Sequence, residues 1–313
     1  MRAAAILGLG SSTRDLRPFQ IESTEWVIGL PAMPDELDAI LVFGGDGTVH
    51  RHLPALVRLE LPVLVVPTGS GNDFARALGL LRVRDSLEVW RKFVSGSSNG
   101  RRIDLGLITP LAADSGAQHT AFDGRGCPPL HFEGAPARAV YFSCAAGVGL
   151  DGEISRRANT LPRWLRAHGG YALSLPSALL HFRPFLMKLS VAESSHPNEF
   201  FPRSQQQVTA AIFANTPVYG GGMKVAPRAK MDDGQLDACV IRDISKLKLL
   251  SVFPSVYFGR HLGIRGVEYF SAASARVETE TPLDVYADGE FVCRTPIEIG
   301  VANSCLHVIV PGQ

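Results

Sequence analysis

What the sequence lacks narrows its class first. No apolar run approaches the ~20 residues that an α-helix needs to cross a bilayer, so no membrane-spanning helix is expected. The N-terminus lacks the basic-then-apolar layout of a secretory leader, and the expected location is cytoplasmic, compatible with peripheral contact at a membrane. Cysteine is scarce and scattered: Cys127, Cys144, Cys239, Cys293 and Cys305 are odd in number and contain no Cys-X-X-Cys pair. That disfavours both a disulfide framework and a zinc cluster, and it predicts buried reduced thiols. Charge of one sign is also missing. With 31 Lys and Arg against 30 Asp and Glu the net charge is +1, which argues against a nucleic-acid partner held by bulk electrostatics. What is present is ordinary globular composition, 46% hydrophobic over 313 residues, long enough for two cores.

Glycine is plentiful where it matters. Two glycine-rich turns each follow a short apolar strand: residues 40–43 run into Gly44-Gly45-Asp46-Gly47-Thr48-Val49-His50, and residues 63–66 run into Pro67-Thr68-Gly69-Ser70-Gly71-Asn72-Asp73. Residues 49–59 between them are long enough for a crossover helix, so the strands should be parallel, with both turns at their carboxyl ends where ligands bind in open α/β sheets. Glycine lets the backbone approach a ligand closely, and its N–H groups beside a helix N-terminus form an anion cradle. Asp46 inside that cradle would repel bare phosphate, so it implies a metal ion or hydroxyl as mediator, or else a helix cap. Thr48 suits either a cap or a phosphate contact. Asn72 or Asp73 should cap the helix over residues 74–78, and Arg76 one turn on could meet phosphate or solvent equally well.

The paired motifs, at this spacing, resemble the diacylglycerol kinase catalytic-domain family, which includes bacterial diacylglycerol kinases and sphingosine and ceramide kinases. The first motif alone is shared with NAD kinases; the second differs from theirs. The resemblance implies an α/β nucleotide-binding domain with a parallel sheet plus a second, antiparallel β-sandwich domain. It places ATP on Gly44, Gly45, Asp46, Gly47, Thr48, Val49, His50, Gly69, Ser70, Gly71 and Asn72. It implies division into residues 1–106, with residues 297–313 returning to them, and a lipid-substrate domain over 107–296. The chain departs from the family near its start: Gly8-Leu9-Gly10-Ser11-Ser12-Thr13 replaces an Asn-Pro turn, and only 43 residues precede Gly44. The first crossover helix should therefore be short or lost, with residues 26–30 a stub of the second strand.

Further along, Arg101-Arg102-Ile103-Asp104-Leu105-Gly106 resembles the family's crossing into its second domain. Residues 109–137 read as a flexible excursion in which His119 and His131 are solvated. Asp151-Gly152-Glu153 mimics a catalytic triplet, but Glu153 should simply begin a helix. Arg156, Arg157, Arg163 and Arg166 around Trp164 suit an anionic membrane surface or a solvated basic face equally. From residue 187 short strands with turn residues at their ends predict an antiparallel sandwich without help from the resemblance.

Asp232-Asp233-Gly234 is by itself a turn; the resemblance makes it a Mg²⁺ site, with the Asp233 carboxylate and the backbone carbonyls of Lys230 and Gln235. His261 should be structural. Asp288-Gly289-Glu290 forms a hairpin tip and is similar to the family's Asp-Gly-Glu, whose Glu acts as general base, so Glu290 and Asp46 are the expected catalytic residues. The implied reaction is ATP-dependent phosphorylation of a lipid hydroxyl presented at a membrane, diacylglycerol first, by a monomer or homodimer. The alternatives are a sphingosine- or ceramide-type kinase, an NAD kinase, and a lapsed lipid- or nucleotide-binding module.

Overall fold

A computed structural model describes the chain except residues 22–23, 31–36, 112–138, 162–169, 194–195, 197–198 and 313, and the side chains of 170–172. Most of the 109–137 excursion with His119 and His131, and the Trp164, Arg163 and Arg166 cluster, lie outside the described residues.

The first half is an α/β layer. Strands β1 (Arg2–Leu7), β2 (Glu25–Ile28), β3 (Ala39–Gly44) and β4 (Val63–Pro67) run parallel in the order β2-β1-β3-β4. Every residue of β3 and β4 is buried, as a parallel sheet covered on both faces requires. The expected loss near the N-terminus is visible: α1 (Thr13–Leu16) is a single turn, closed by a capping box between Ser12 and Asp15. Helix α2 (Asp46–Leu59) makes the crossover from β3 to β4. Beyond it come the short α3 (Asp73–Ala77) and the amphipathic α4 (Val83–Val94), whose Trp90 is fully buried and donates to the Phe19 carbonyl at 3.0 Å.

The second half opens with β5 (Gly100–Pro110), β6 (Val140–Phe142), β7 (Ala145–Gly149), α5 (Leu150–Thr160) and α6 (Gly170–His181). Ser143 and Cys144 separate β6 from β7. Then follow β8 (Phe185–Ala192), β9 (Phe201–Ala214), β10 (Leu236–Arg242), α7 (Lys246–Val256), β11 (Val267–Ala272), β12 (Ser274–Thr279), β13 (Asp284–Ala287), β14 (Glu290–Arg294) and β15 (Ile297–Ile309). Their mutual pairings, along β14-β13-β7-β9-β8-β12, are antiparallel. Residue burial separates a core around Phe43, Leu64, Phe74 and Trp90 from one around Phe142, Met187, Phe213 and Ile299. Among the described residues no helix is long and apolar enough to cross a membrane.

Two strands belong to both halves. β15 pairs with β12 from Ile297 to Gly300, reaches β4 through Val308 opposite Val63, and pairs with β5 from Ile297–Pro110 to Ile309–Gly100. Near its end β15 thus lies beside β4 of the parallel sheet. Because β5 and β15 carry the ladder from one sheet to the other, the carboxyl ends of β3 and β4 face the β13–β14 hairpin.

Candidate active site

Three turns meet at the carboxyl edge of the parallel sheet. Gly8 N–H donates to the Phe43 carbonyl at 2.7 Å, and the Ser11 and Thr68 hydroxyls lie 2.8 Å apart. Gly8 and Gly44 leave room for the Thr48 side chain, since a Cβ on either would come within 2.5 Å of Thr48 Oγ1. Thr48 is thus a packing residue between the first and second turns. Gly45 and Gly69 touch backbone to backbone: a Cβ on Gly45 would sit 3.0 Å from Gly69 Cα. Gly45 is also the N-cap of α2 and brings no side chain to its first N–H groups, which leaves a helix of 14 residues with an N-terminus open to an anion.

Not every residue of the two motifs faces outward. Val49 is buried in the core and its N–H is bonded to the Gly45 carbonyl at 3.1 Å. Asn72, at φ 56°, folds its amide back on its own turn, accepting from Gly69 N–H at 3.0 Å and donating to the Gly69 carbonyl at 2.7 Å. It holds the loop, and its side chain does not cap α3. Asp46 does that instead, from the neighbouring turn, accepting the N–H groups of Asp73 and Phe74, each at 3.0 Å. Ser70 is exposed and Gly71 sits against Asp46, where a Cβ would lie 2.6 Å from Oδ2.

Asp73 and Asp288 are buried, and Asp46 lies half-buried beside them. Burial pushes the Asp46 carboxyl up to about 7, helped by the charges of Asp73 and Asp288 and opposed by the two backbone N–H groups. Asp73 is raised as well, first by burial, although it accepts Gly221 N–H at 2.7 Å and pairs with Arg76. Arg76 is therefore engaged by Asp73. Asp288 differs. Burial opposes its charge, but the His50 hydrogen bond and charge, with the N–H groups of Ser143 and Cys144, outweigh that and hold it below its usual range. Its Oδ2 lies 3.1 Å from His50 Nδ1 and accepts Ser143 N–H at 2.7 Å and Ser143 Oγ–H at 3.0 Å; Oδ1 accepts Cys144 N–H at 2.8 Å. His50 is accordingly a link from α2 to the hairpin.

The hairpin delivers Glu290 beside the first glycine turn. Asp288 takes φ 50° at the tip, and Glu290 opens β14 with Oε1 3.1 Å from where a Cβ of Gly47 would be. A cavity of about 130 Å³ lies alongside, walled by Asp46, Gly71 and Asp73 from one half and Cys144, Tyr219, Gly221 and Asp288 from the other. Burial, then the three nearby aspartates, push the Cys144 thiol well up, which excludes a thiolate nucleophile here. Glu153, the other glutamate of an Asp-Gly-Glu run, sits in α5 and is paired with Arg156 and Arg157 at 2.8 and 2.6 Å, as a helix residue should be.

The 230–237 turn is tied to β5. Asp104 accepts Gly234 N–H at 2.8 Å and Ser304 N–H at 2.7 Å, and its own N–H donates to the Met231 carbonyl. Asp233 accepts Gln235 N–H at 3.1 Å, the local turn bond. Its carboxyl is raised by partial burial and by Asp237 and Asp104, a negative surrounding that a cation would relieve. Among the described residues no three His, Cys, Asp or Glu side chains are arranged to hold a metal ion, so a cation here would depend on Asp233 and on carbonyls such as those of Lys230 and Gln235. His261 is structural: buried, with Nε2 3.0 Å from the Val225 carbonyl.

Comparison with known proteins decides the family. Residues 26–108 match the diacylglycerol kinase catalytic domain, and residues 144–310 match the YegS C-terminal NAD kinase beta sandwich-like domain. The diacylglycerol kinase of Mycobacterium tuberculosis H37Rv is 30% identical over 274 residues, 88% of this chain and 77% of that protein. The chain belongs to the diacylglycerol kinase family. As a member it is a lipid kinase. The diacylglycerol kinase of Bacillus subtilis 168 is 24% identical over 280 residues, 89% of this chain and 79% of that protein. A diacylglycerol kinase structure from Bacillus anthracis Sterne superposes with a TM-score of 0.62 at 17% identity, covering 99% of this chain and 96% of that one, which supports the fold alone. Family membership bears out the resemblance, the two-part fold and the kinase class read from the paired glycine motifs.

Proposed function

We propose that this lipid kinase transfers the γ-phosphate of ATP to the hydroxyl of diacylglycerol, giving phosphatidic acid. The observation that carries the reading is the approach of Glu290 to the open N-terminus of α2, because it sets a proton acceptor against an anion cradle across one cleft. In phosphoryl transfer the protein chiefly positions groups and neutralises charge. The N–H groups at the start of α2 and the two glycine turns would hold the phosphates. Asp46 fixes the second turn against the first by capping α3. The acceptor oxygen would bond to the γ-phosphorus as the bond to the β–γ bridging oxygen breaks, and its proton would pass to Glu290. Asp288 keeps the hairpin seated through His50 and residues 143–145. Bound Mg²⁺ would supply charge neutralisation, and at the Asp233 turn it would steady the segment that Asp104 anchors. Diacylglycerol is favoured over sphingoid acceptors by the names of the relatives above.

The test is transfer of ³²P from γ-labelled ATP, with Mg²⁺, to a mixed-micelle panel of diacylglycerol, sphingosine and ceramide. Labelled phosphatidic acid is expected. Product from a sphingoid lipid alone would replace the acceptor. No product together with no ATP binding by calorimetry would support the lapsed module that the one-turn α1 allows. Glu290→Gln is expected to lower turnover about a hundredfold or more while ATP still binds. Unchanged turnover would remove Glu290 from the base role.

A further inference from the structure

Helices α6 and α7 lie side by side at the edge of the lipid kinase, joined where Lys246 Nζ donates to the Leu180 carbonyl at 2.7 Å. Each has one buried face and one bare apolar face. In α6, Leu175, Ala178 and Leu179 are buried, whereas Leu173 and Leu180, seven residues apart, are 54% and 71% exposed. In α7 only Leu249 is buried; Leu247 is 83% exposed, Leu250 follows at i+3 and Pro254 at i+7, and Phe258 just past the helix is 70% exposed. Helical spacing puts Leu173 and Leu180 on one face of α6, and Leu247, Leu250 and Pro254 on one face of α7. Of the 12 large hydrophobic side chains exposed among the described residues, five are here: Leu173, Leu180, Leu247, Leu250 and Phe258. Clustering of that kind marks a binding surface, unlike single exposed leucines.

Charge identifies the partner. Over the whole chain acids and bases balance, yet residues 170–192 and 244–267 contain no Asp or Glu and carry Arg183, Lys188, Lys246, Lys248, Arg260 and Arg265. The nearest exposed acids in sequence are Glu193 and Asp243, each just outside one of these stretches, and Glu153 on the adjoining α5 is neutralised by Arg156 and Arg157. Exposed leucines and a phenylalanine set among cations match the boundary between anionic headgroups and acyl chains. The α7 face also ends beside the cleft. Lys224 N–H donates to the Val256 carbonyl at 3.1 Å, and the loop that precedes Lys224 gives Gly221 N–H to Asp73.

We infer that the exposed faces of α6 and α7, from Leu173 to Phe258, dock on an anionic lipid bilayer and bring the cleft to its surface. This deepens the lipid kinase reading by naming the surface on which the substrate is met. It does not depend on which lipid is phosphorylated.

Vesicle sedimentation without nucleotide tests it, using phosphatidylcholine vesicles with and without phosphatidylglycerol. The protein is expected to bind the anionic vesicles, and to bind them more weakly as salt rises. The double variant Leu247→Ser, Phe258→Ser is expected to lose about tenfold or more in partition. Both side chains are mostly in solvent, so its melting temperature should stay within a degree or two of wild type, about what surface substitutions give. Equal binding by wild type and variant, or none by wild type, overturns the inference. So does a wild-type dimer by light scattering that the variant dissociates, since a second copy would then cover the face. Because no turnover is read, failure of the kinase assay leaves this result intact, and the reverse holds as well.

Discussion

Asp46 serves a helix to which it does not belong, and its ionisation should show in stability. Its folded-state value is about 7 against an ordinary 3.8, burial being the main cause. A carboxyl raised on folding favours the folded state fully at pH values below 3.8, and that contribution fades as pH climbs through about 7. Asp46→Asn keeps one acceptor and removes the titration. Without nucleotide or Mg²⁺, its melting temperature relative to wild type should rise between pH 5 and pH 8; a difference that stays flat would mean that Asp46 is ionised throughout. Asp288 runs the other way: held low by His50 and backbone N–H groups despite burial, it adds stability above pH 3.8 that drains away as pH falls further. Asp46 and Glu290 were legible in the sequence, because each stands in a motif whose spacing carries chemistry. Asp73 was read only as a possible helix cap, and Asp288 only as part of a turn. Asp-Gly before a glutamate reads locally as a turn, and only the approach of residues 143–145 and His50 makes that aspartate a buried anchor. Burial is a property of the folded neighbourhood, which no window of residues contains.

At the level of elements, the two glycine turns act as one object. A Cβ on Gly69 would overlap Gly45 Cα and lie 3.0 Å from Asn72 Oδ1, and backbone cannot step aside as a side chain can. Gly69→Ala should cost about 1–3 kcal/mol, read as a drop in melting temperature, and should weaken ATP binding measured by calorimetry. Wild-type stability and affinity in that variant would show that the turns are not in contact. The strands that position these turns were readable from their apolar runs, since β3 and β4 are buried on both faces. The α3 cap was misread as Asn72 or Asp73: with Asn72 in the left-handed region its side chain closes the 69–72 turn, and the cap on the Asp73 N–H arrives from Asp46, 27 residues upstream. β11 went unseen because Val267–Ala272 is only half-buried and carries Glu268 and Ser271, which blurs alternation. The full lengths of β5 and β15 went unseen for another reason: each passes between two environments, so neither has one pattern throughout.

For the whole molecule, the shared strands predict a single cooperative unfolding transition. β15 contributes to both sheets, and Asp73–Gly221 and Asp288–His50 cross between halves at the site. Calorimetry should give one peak; two resolved peaks would mean that the halves are independent. The two-layer plan was legible because α/β alternation gives way to short strands after residue 187, whereas the handover between sheets depends on pairing partners some 200 residues apart in sequence, such as Ile309 and Gly100. That separation has a consequence for biosynthesis. While a ribosome is still making the sandwich, the α/β sheet already outside the tunnel has no β15, so β4 shows an unpaired edge and β5 has nothing to pair with on that side. A nascent chain arrested before residue 297 should therefore be protease-sensitive in its first hundred residues, and the α/β half should become resistant only once β15 has emerged.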